Sequence, residues 1–336
     1  GGDASNVSGA LVDVTAIYST HKAFAALKED GSVVVWGNSN AGGEAGALSD
    51  ALNGETNVTS IASTQSAFAA LREDGSVIAW GSPGAGGTYP EGQGLSDVVE
   101  IYSNLNAFAA LTSDGKIFSW GQPTFGGDQS DIPYNPDAEF TEVYSTASAF
   151  AAIRADGSVY TWGNAADGGD STTVAGLLSG LVNVTSISAT TSAFAAVRAD
   201  GSVVTWGNFA SGADSSKVAD NLDGRLDVID VFSTDYAFAA LRSDGSVVAW
   251  GNPLLGGDSA SVSDALDGSN PVEAIYSNGT AFVALHRDET LTAWGLPGHG
   301  GDMSSVTEHF TSGKTIAAIE ASQTGFAALF EDGSFV

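Results

Sequence analysis

Aspartates that follow a Gly-Gly pair are the residues of this sequence whose type and spacing could bind a metal ion. They are Asp128, Asp170, Asp258 and Asp302, with Asp3 and Asp214 in equivalent places. Carboxylate oxygens are ligands that Ca²⁺ prefers, and single carboxylates near Ser hydroxyls can form a low-affinity site of the extracellular kind. A tight site needs several carboxylates at short spacing, and the sequence offers none. Calcium is therefore the one ion that the sequence suggests, at a weak site, and no other cofactor is predicted.

The sequence contains no recognisable set of catalytic residues. The four histidines form no His-x-x-x-His pair and no triad order beside an activated Ser, and no Gly-x-Ser-x-Gly elbow lies between a strand and a helix. Acids that recur in every unit are poor catalytic candidates, because an active site usually departs from a repeat. The sequence predicts no catalytic residue and a protein that is not an enzyme.

Basic residues concentrate at one repeated position, four residues after a Phe and two before an Asp. They are Lys28, Arg72, Arg154, Arg198 and Arg242, with His286 at the matching place. In a symmetric assembly this basic rim lies on one side. Either each base pairs with an acid of its own turn, for little energy, or the rim meets the acidic surface of another molecule.

Loops of four variable residues follow each Trp-Gly pair and are the candidates for recognition. Loops on a rigid scaffold are where binding usually resides. Phe125, Phe209, Leu254 and Leu255 are predicted to expose apolar side chains in these loops. The loops are residues 38–41, 82–85, 122–125, 164–167, 208–211, 252–255 and 296–299.

All these positions belong to one repeat that fills the chain. Seven tryptophans each follow a Phe by twelve residues, and successive tryptophans are 40 to 44 residues apart. An eighth Phe, Phe326, has the same surroundings. The sequence thus predicts a single repeat domain over residues 1–336, made of about eight units and part of a longer chain.

Each unit has the pattern of short β-strands. Two apolar runs flank Asp-Gly-Ser, and Asp-Gly is a strong hairpin signal because the turn needs a positive φ. A Val-x-x-Ile-like run supplies another strand, so each unit holds three or four. Asp288-Glu289 lacks the Gly, which predicts an altered turn there. The stretch Gly127 to Glu142 departs from the repeat and is predicted to be an irregular surface loop.

The charge of −29 reflects a shortage of bases. Eleven Lys and Arg face 40 Asp and Glu in 336 residues. Non-specific nucleic-acid binding depends on many basic contacts, so that class is excluded, and docking on anionic lipid is disfavoured. No apolar run approaches the length of about 18 residues that spans a bilayer. The chain has no Cys, so disulfides and thiolate sites are absent.

The pattern from Ala237 to Gly251, Ala-x-x-Ala-Leu-x-x-Asp-Gly-x-Val-x-x-Trp-Gly, resembles the repeat of the RCC1-like (regulator of chromosome condensation) family. The resemblance covers all eight units and implies a β-propeller of seven or eight blades. Eukaryotic members usually carry His-Ser and Gly-Gln-Leu-Gly where this chain has Ala-Phe and Gly-Gly-Asp. The chain is more similar to secreted or surface bacterial members, which implies an extracellular or cell-surface location.

Two arrangements fit the ends of the chain. In a closed ring, the C-terminal hairpin from Phe326 to Val336 joins the N-terminal strand from Val14 to Ser19 in a composite blade. In the alternative, the units stack as an open spiral or fibre.

The leading functional hypothesis is a non-enzymatic extracellular scaffold or adhesion module that associates with copies of itself, another surface protein or a glycan. The alternative is a protein-binding inhibitor or regulator. The exchange-factor and chromatin roles of eukaryotic relatives are not carried over, because the basic surface is missing.

Overall fold

A computed structural model describes residues 2–89, 95–132, 139–310 and 314–336. The described residues form seven three-stranded antiparallel sheets and one two-stranded sheet, each built from strands consecutive in sequence. The all-β repeat architecture is confirmed, with eight sheets that resemble propeller blades. A repeat is defined here as one sheet with the segment that follows it. The repeats 1 to 8 begin at residues 14, 58, 98, 140, 184, 228, 272 and 316.

The three strands of a repeat follow its sequence pattern. The Val-x-x-Ile-like runs form the first strands, Val14–Ser19, Val58–Ser63, Val98–Ser103, Phe140–Ser145, Val184–Ala189, Val228–Ser233, Val272–Ser277 and Ile316–Ser322. The Ala-Phe runs form the second strands, Ala23–Lys28, Ala67–Arg72, Ala107–Thr112, Ala149–Arg154, Ala193–Arg198, Ala237–Arg242, Ala281–His286 and Gly325–Phe330. The runs that end in Trp-Gly form the third strands, Val33–Gly37, Val77–Gly81, Ile117–Gly121, Val159–Gly163, Val203–Gly207, Val247–Gly251 and Leu291–Gly295.

Helical segments are short. One group of 3₁₀ turns follows the Trp-Gly pairs, at Ser39–Ala41, Pro83–Ala85, Pro123–Phe125, Ala165–Asp167, Phe209–Ser211, Pro253–Leu255 and Pro297–His299. Others lie at Ser8–Ala10, Gly46–Leu48, Asp50–Leu52, Gln129–Asp131, Thr172–Val174, Ser216–Asn221 and Ala260–Val262, and an α-helix covers Thr307–Phe310. Within the described ranges, no helix has the length and apolar character needed to span a membrane.

Register explains the repeated aromatic pair. The twelve-residue spacing places Phe68 directly opposite Trp80 on the second and third strands, and their rings stack with centroids 5.2 Å apart. Cross-strand aromatic pairs stabilise antiparallel sheets. The same stacking holds in repeats 1 to 7 with centroids 5.1 to 5.3 Å apart.

The turn of repeat 7 corrects a prediction. Glu289 occupies the place of the turn glycine and adopts a φ of 65°, close to the 76° of Gly75. Its N–H donates to His286 O at 2.9 Å, as Gly75 N–H donates to Arg72 O. The predicted altered turn is therefore wrong. The strand pairing on both sides imposes the left-handed conformation on Glu289, although this conformation is costly for a residue with a Cβ.

The predicted composite blade is also wrong. The N-terminal strand Val14–Ser19 pairs with Ala23–Lys28 in its own sheet, and Gly325–Phe330 pairs with Ile316–Ser322. The reason is local: the turn between first and second strands is only a few residues long, so sequential pairing forms without a long loop closure.

The chain divides into two compact halves. The first half is residues 1–156 and 160–165, and the second is residues 157–159 and 166–336. Within each half, the core lies between neighbouring repeats. One such cluster joins Ala25 and Leu27 of repeat 1 with Ile61, Phe68 and Trp80 of repeat 2. The small alanines of one sheet thus receive the large aromatic side chains of the next.

Candidate functional site

The Gly-Gly segment after each Trp-Gly loop is held against the following repeat. Gly86 has a φ of 92°, and a Cβ there would lie 2.6 Å from Cδ2 of Phe108. Its backbone oxygen accepts a hydrogen bond from Trp120 Nε1 at 3.0 Å. The same bond to the equivalent glycine is made by Trp80, Trp162, Trp206, Trp250 and Trp294. The aromatic series and the glycines therefore form the joints between repeats, which fixes the position of every loop.

A series of buried polar residues at the end of the first strand ties each loop to its own sheet. Thr64 Oγ1 donates to Ala85 O at 3.0 Å and accepts from Ala67 N–H at 3.0 Å. Asn104 takes the same place through its amide, which donates to Phe125 O at 2.7 Å. This series was not among the predicted site residues, although it recurs four residues before each Phe. These hydrogen bonds hold the Trp-Gly loops in place on their own sheets.

The turns between first and second strands form a line of backbone hydrogen bonds across repeats. In the first half, His21 N–H donates to Gln65 O at 3.1 Å, and Gln65 N–H to Leu105 O at 2.8 Å. In the second half, Thr191 N–H donates to Asp235 O at 2.9 Å, and Asp235 N–H to Gly279 O at 3.0 Å. These turns lie beside the Trp-Gly loops.

We call this region of each half the loop edge. Each Trp-Gly loop is bonded to the turn of its own repeat, as Asn252 N–H is to Tyr236 O at 2.9 Å. The loop edge of the first half contains residues 21–22, 38–41, 65–66, 82–85, 105–106 and 122–125. That of the second half contains residues 191–192, 208–211, 235–236, 252–255, 279–280 and 296–299.

The four predicted loop residues fall into two groups. Phe209 and Leu254 are 77% and 75% exposed. Phe125 and Leu255 are half-buried, because the last residue of each 3₁₀ turn points toward the sheet, and Phe125 packs on the core between repeats 3 and 4. Phe209 and Leu254 thus present apolar surface on the second half.

The basic rim is largely neutralised within its own turns. Lys28, Arg72 and Arg198 form ion pairs with Asp30, Asp74 and Asp200 at 3.3, 4.0 and 3.6 Å. Arg242 Nε donates to Ser246 Oγ at 2.8 Å. Arg154 instead lies 5.2 Å from the ring centroid of Phe140 and 5.3 Å from that of Tyr160. This geometry favours the interpretation that each base serves its own repeat.

The turn aspartates are strong acceptors. Asp30 Oδ1 accepts from the hydroxyl and the N–H of Ser32 at 2.5 and 3.0 Å. The hydrogen bond from the Ser32 hydroxyl, followed by that from its N–H, lowers the pKa of Asp30 to about 2. Aspartates recur at this place in the hairpin turns, which indicates that they have a structural role.

The four calcium candidates have a structural use of the same kind. Oδ1 of each accepts the N–H of the residue two positions on, at 2.9 Å. These acceptors are Asp128, Asp170, Asp258 and Asp302. Within the ranges that the structure describes, no group of three His, Cys, Asp or Glu residues could hold a metal ion.

The irregular stretch predicted from Gly127 to Glu142 is only partly described. Its residues 133–138 lie outside the described residues. Near its start, the carbonyl of Asp131 accepts a hydrogen bond from the Tyr160 hydroxyl. Ile132 packs in the core between repeats 3 and 4.

His286 replaces the rim base in repeat 7 and is buried. Its Nδ1 lies 2.8 Å from Asn270 O, and its Nε2 lies 2.8 Å from Thr292 Oγ1. The carbonyl can only accept, so Nδ1 carries the proton and donates to it. Both ring nitrogens are satisfied by structural partners.

No known protein-family profile matches the sequence, and no curated protein matches it. Solved structures with a similar fold include the CRINKLY WD40 ectodomain of the receptor kinase ACR4 from Arabidopsis thaliana. It is 14% identical, with 83% of this chain and 96% of that chain covered and a TM-score of 0.42.

Prp20p from Saccharomyces cerevisiae is 16% identical over 87% of this chain and 74% of its own, with a TM-score of 0.42. The computationally designed Ika8 protein is 16% identical over 96% of this chain and 95% of its own, with a TM-score of 0.39. A likeness at these TM-scores carries no argument about function.

Proposed function

We propose that this protein is a non-enzymatic scaffold module that associates with copies of itself, as part of a bacterial surface or secreted protein. The observation that carries the proposal is the exposure of Ile17 on repeat 1 and of Leu329 and Phe335 on repeat 8, on the faces that join neighbouring repeats. Every described joint between repeats within a half buries these same faces. A second copy offers the complementary face.

Repeat 1 presents to solvent the face that each later repeat packs against the repeat before it. Ile17 is 62% exposed, whereas Ile61 at the same place in repeat 2 is 5% exposed. Trp36 lies on the same face but is only 9% exposed. Among the described residues, its Nε1 makes no equivalent of the hydrogen bond from Trp80 Nε1 to Gly42 O. Burying an isoleucine side chain contributes about 1.5 to 3 kcal/mol.

Repeat 8 presents to solvent the face that each earlier repeat packs against the repeat after it. Leu329 is 43% exposed, whereas Leu27 at the same place in repeat 1 is 7% exposed. Phe335, in the place of Val33, is 79% exposed. Docking repeat 8 of one copy on repeat 1 of another would reproduce the joint between repeats 1 and 2. Such contacts are head to tail and build filaments if they do not close.

Sedimentation velocity over a range of concentrations tests this proposal. The wild-type protein is expected to associate as concentration rises, and Ile17→Asp or Leu329→Asp is expected to weaken association at least about tenfold. Val99→Asp is the matched control, since Val99 is 53% exposed on the first strand of repeat 3. A wild-type protein that stays monomeric, or an equal effect of Val99→Asp, would contradict the proposal.

Association with another protein is the second candidate function. It is favoured by one observation, the exposed Phe209 and Leu254 on the loop edge of the second half.

A further inference from the structure

Four residues of the second half depart from the repeat and share the loop edge. Phe209 and Leu254 are the large apolar residues at the two exposed loop positions, where other repeats carry Ser, Asn, Pro, Gly, Thr or Ala. Asp235 and Tyr236 stand between the first and second strands of repeat 6. The corresponding pairs elsewhere contain no other acid and no other Phe, Tyr or Trp. In a repeat protein, such departures mark the surface that has a specific task.

The backbone brings these departures together. Asn208 N–H donates to Ser192 O at 2.8 Å, which places Phe209 beside the turn of repeat 5. That turn is joined to repeat 6 twice, because Thr191 N–H and Thr191 Oγ1 both donate to Asp235 O, at 2.9 and 2.7 Å. Phe209 and Asp235 are thus connected through one short turn.

Tyr236 and Leu254 complete the arrangement. Asn252 N–H donates to Tyr236 O at 2.9 Å, and Asn252 Oδ1 accepts from Leu254 N–H at 3.1 Å, which orients the loop. Tyr236 is 39% exposed. The surface is therefore held by backbone bonds and needs little ordering when a partner binds, which favours affinity.

The Asp235 carboxylate has no partner among the described residues. It is half-buried, and this burial raises the pKa of its carboxyl group. A Cβ on Gly279 would lie 2.9 Å from Asp235 Oδ2, so the carboxylate lies over a residue that has no side chain. A partly desolvated carboxylate gains most from a cation supplied by a partner.

We propose that Phe209, Asp235, Tyr236 and Leu254 form a docking surface for a basic peptide segment of another protein. A Lys or Arg of the segment pairs with Asp235 and lies against Tyr236, and an apolar side chain of the segment covers Phe209 and Leu254. Aromatic rings attract cations, and the net charge of −29 speeds the approach of a basic partner.

A second copy of the chain is the poorer occupant. It has eleven basic residues, and seven of them form ion pairs with acids of their own chain. The docking surface shares no residue with the faces of repeats 1 and 8. This inference therefore does not depend on self-association.

Binding of three synthetic peptides by isothermal titration calorimetry tests the inference. The peptides have equal length and alternate Leu with Arg, with Gln or with Glu. The Arg peptide is expected to bind at least about tenfold more tightly than the Gln peptide, and the Glu peptide not measurably. Asp235→Asn and Phe209→Ser are each expected to reduce binding of the Arg peptide about tenfold.

Asp264→Asn is the matched control, because it removes the same charge from an exposed loop away from the loop edge. It should leave binding within about twofold, since single exposed charges contribute little. Thermal melting verifies that each variant is folded. Absence of binding by the Arg peptide overturns the inference, as does an equal loss in Asp264→Asn. A shift in the oligomeric state of Phe209→Ser would also overturn it, in favour of a second copy as occupant.

Discussion

Trp120 Nε1 donates a hydrogen bond to the backbone oxygen of Gly86 at 3.0 Å, across 34 residues of sequence. The donor is in repeat 3 and the acceptor in repeat 2. Because Gly86 also lies against the ring of Phe108, one glycine provides both the polar and the apolar contact of the joint. Stability of such arrays is approximately a sum of repeat and joint terms. The joints therefore decide whether repeats assemble, within one chain or between two.

Replacing the joint glycine tests this role. Gly86→Ala is expected to lower the free energy of unfolding by about 2 to 4 kcal/mol, because Gly86 has a positive φ and its added Cβ overlaps Phe108. Gly84→Ala, two residues away, meets nothing within 4 Å and should change stability by less than about 0.5 kcal/mol. Urea unfolding followed by Trp fluorescence measures both. Equal effects of the two variants would show that the joint does not depend on this contact.

The backbone conformation of Glu289 leads to the prediction that replacing this residue stabilises the protein. Its φ of 65° suits glycine better than a residue with a Cβ, so Glu289→Gly is expected to stabilise the protein by about 1 kcal/mol. Glu29→Gly is the control, because Glu29 is an exposed turn residue without a positive φ and should be neutral or destabilising. Thermal melting compares them. A lower melting temperature for Glu289→Gly would indicate that the Glu side chain has a role of its own.

Acid should destabilise the hairpin turns. The folded state lowers the pKa of Asp30 to about 2 from 3.8. The contribution of Asp30 to stability is therefore complete above its ordinary pKa and is lost as the pH falls from about 4 toward 2. Ser32→Ala should move the pKa back up toward 3.8, while Ser32→Thr keeps the hydroxyl and the low value. NMR titration of the Asp30 carboxyl carbon measures the pKa, and an unchanged value in Ser32→Ala would refute this cause.

Calcium is expected to have no effect on stability. The carboxylates of Asp128, Asp170, Asp258 and Asp302 each cap a turn of their own. The melting temperature should therefore be the same with chelator and with millimolar CaCl₂, the range in which extracellular modules bind. A rise in melting temperature with CaCl₂ that MgCl₂ does not reproduce would restore the calcium hypothesis.

Much of the fold could be predicted from sequence, because a repeated pattern averages out local ambiguity. The Phe and Trp series marked the strands and the core. The predictions for the turn at Glu289 and for the pairing of Val14–Ser19 were wrong. Both features depend on the neighbouring strands and not on the preference of one residue.

The candidate site was only partly predictable. Phe209 and Leu254 were found as variable apolar loop residues, but the burial of Leu255 follows from the direction of its 3₁₀ turn. Asp235 and Tyr236 were not among the predicted site residues, although both depart from the repeat. Their proximity to Phe209 depends on hydrogen bonds between repeats, which sequence spacing does not reveal.

Cross-linking between copies tests the self-association of this scaffold most directly, since the chain has no native Cys. Ile17→Cys and Leu329→Cys are prepared separately and mixed with a short bismaleimide. Linked dimers are expected in the mixture, and few are expected in either variant alone. Absence of dimers from the mixture, together with a link within one chain in the double variant, would contradict head-to-tail association.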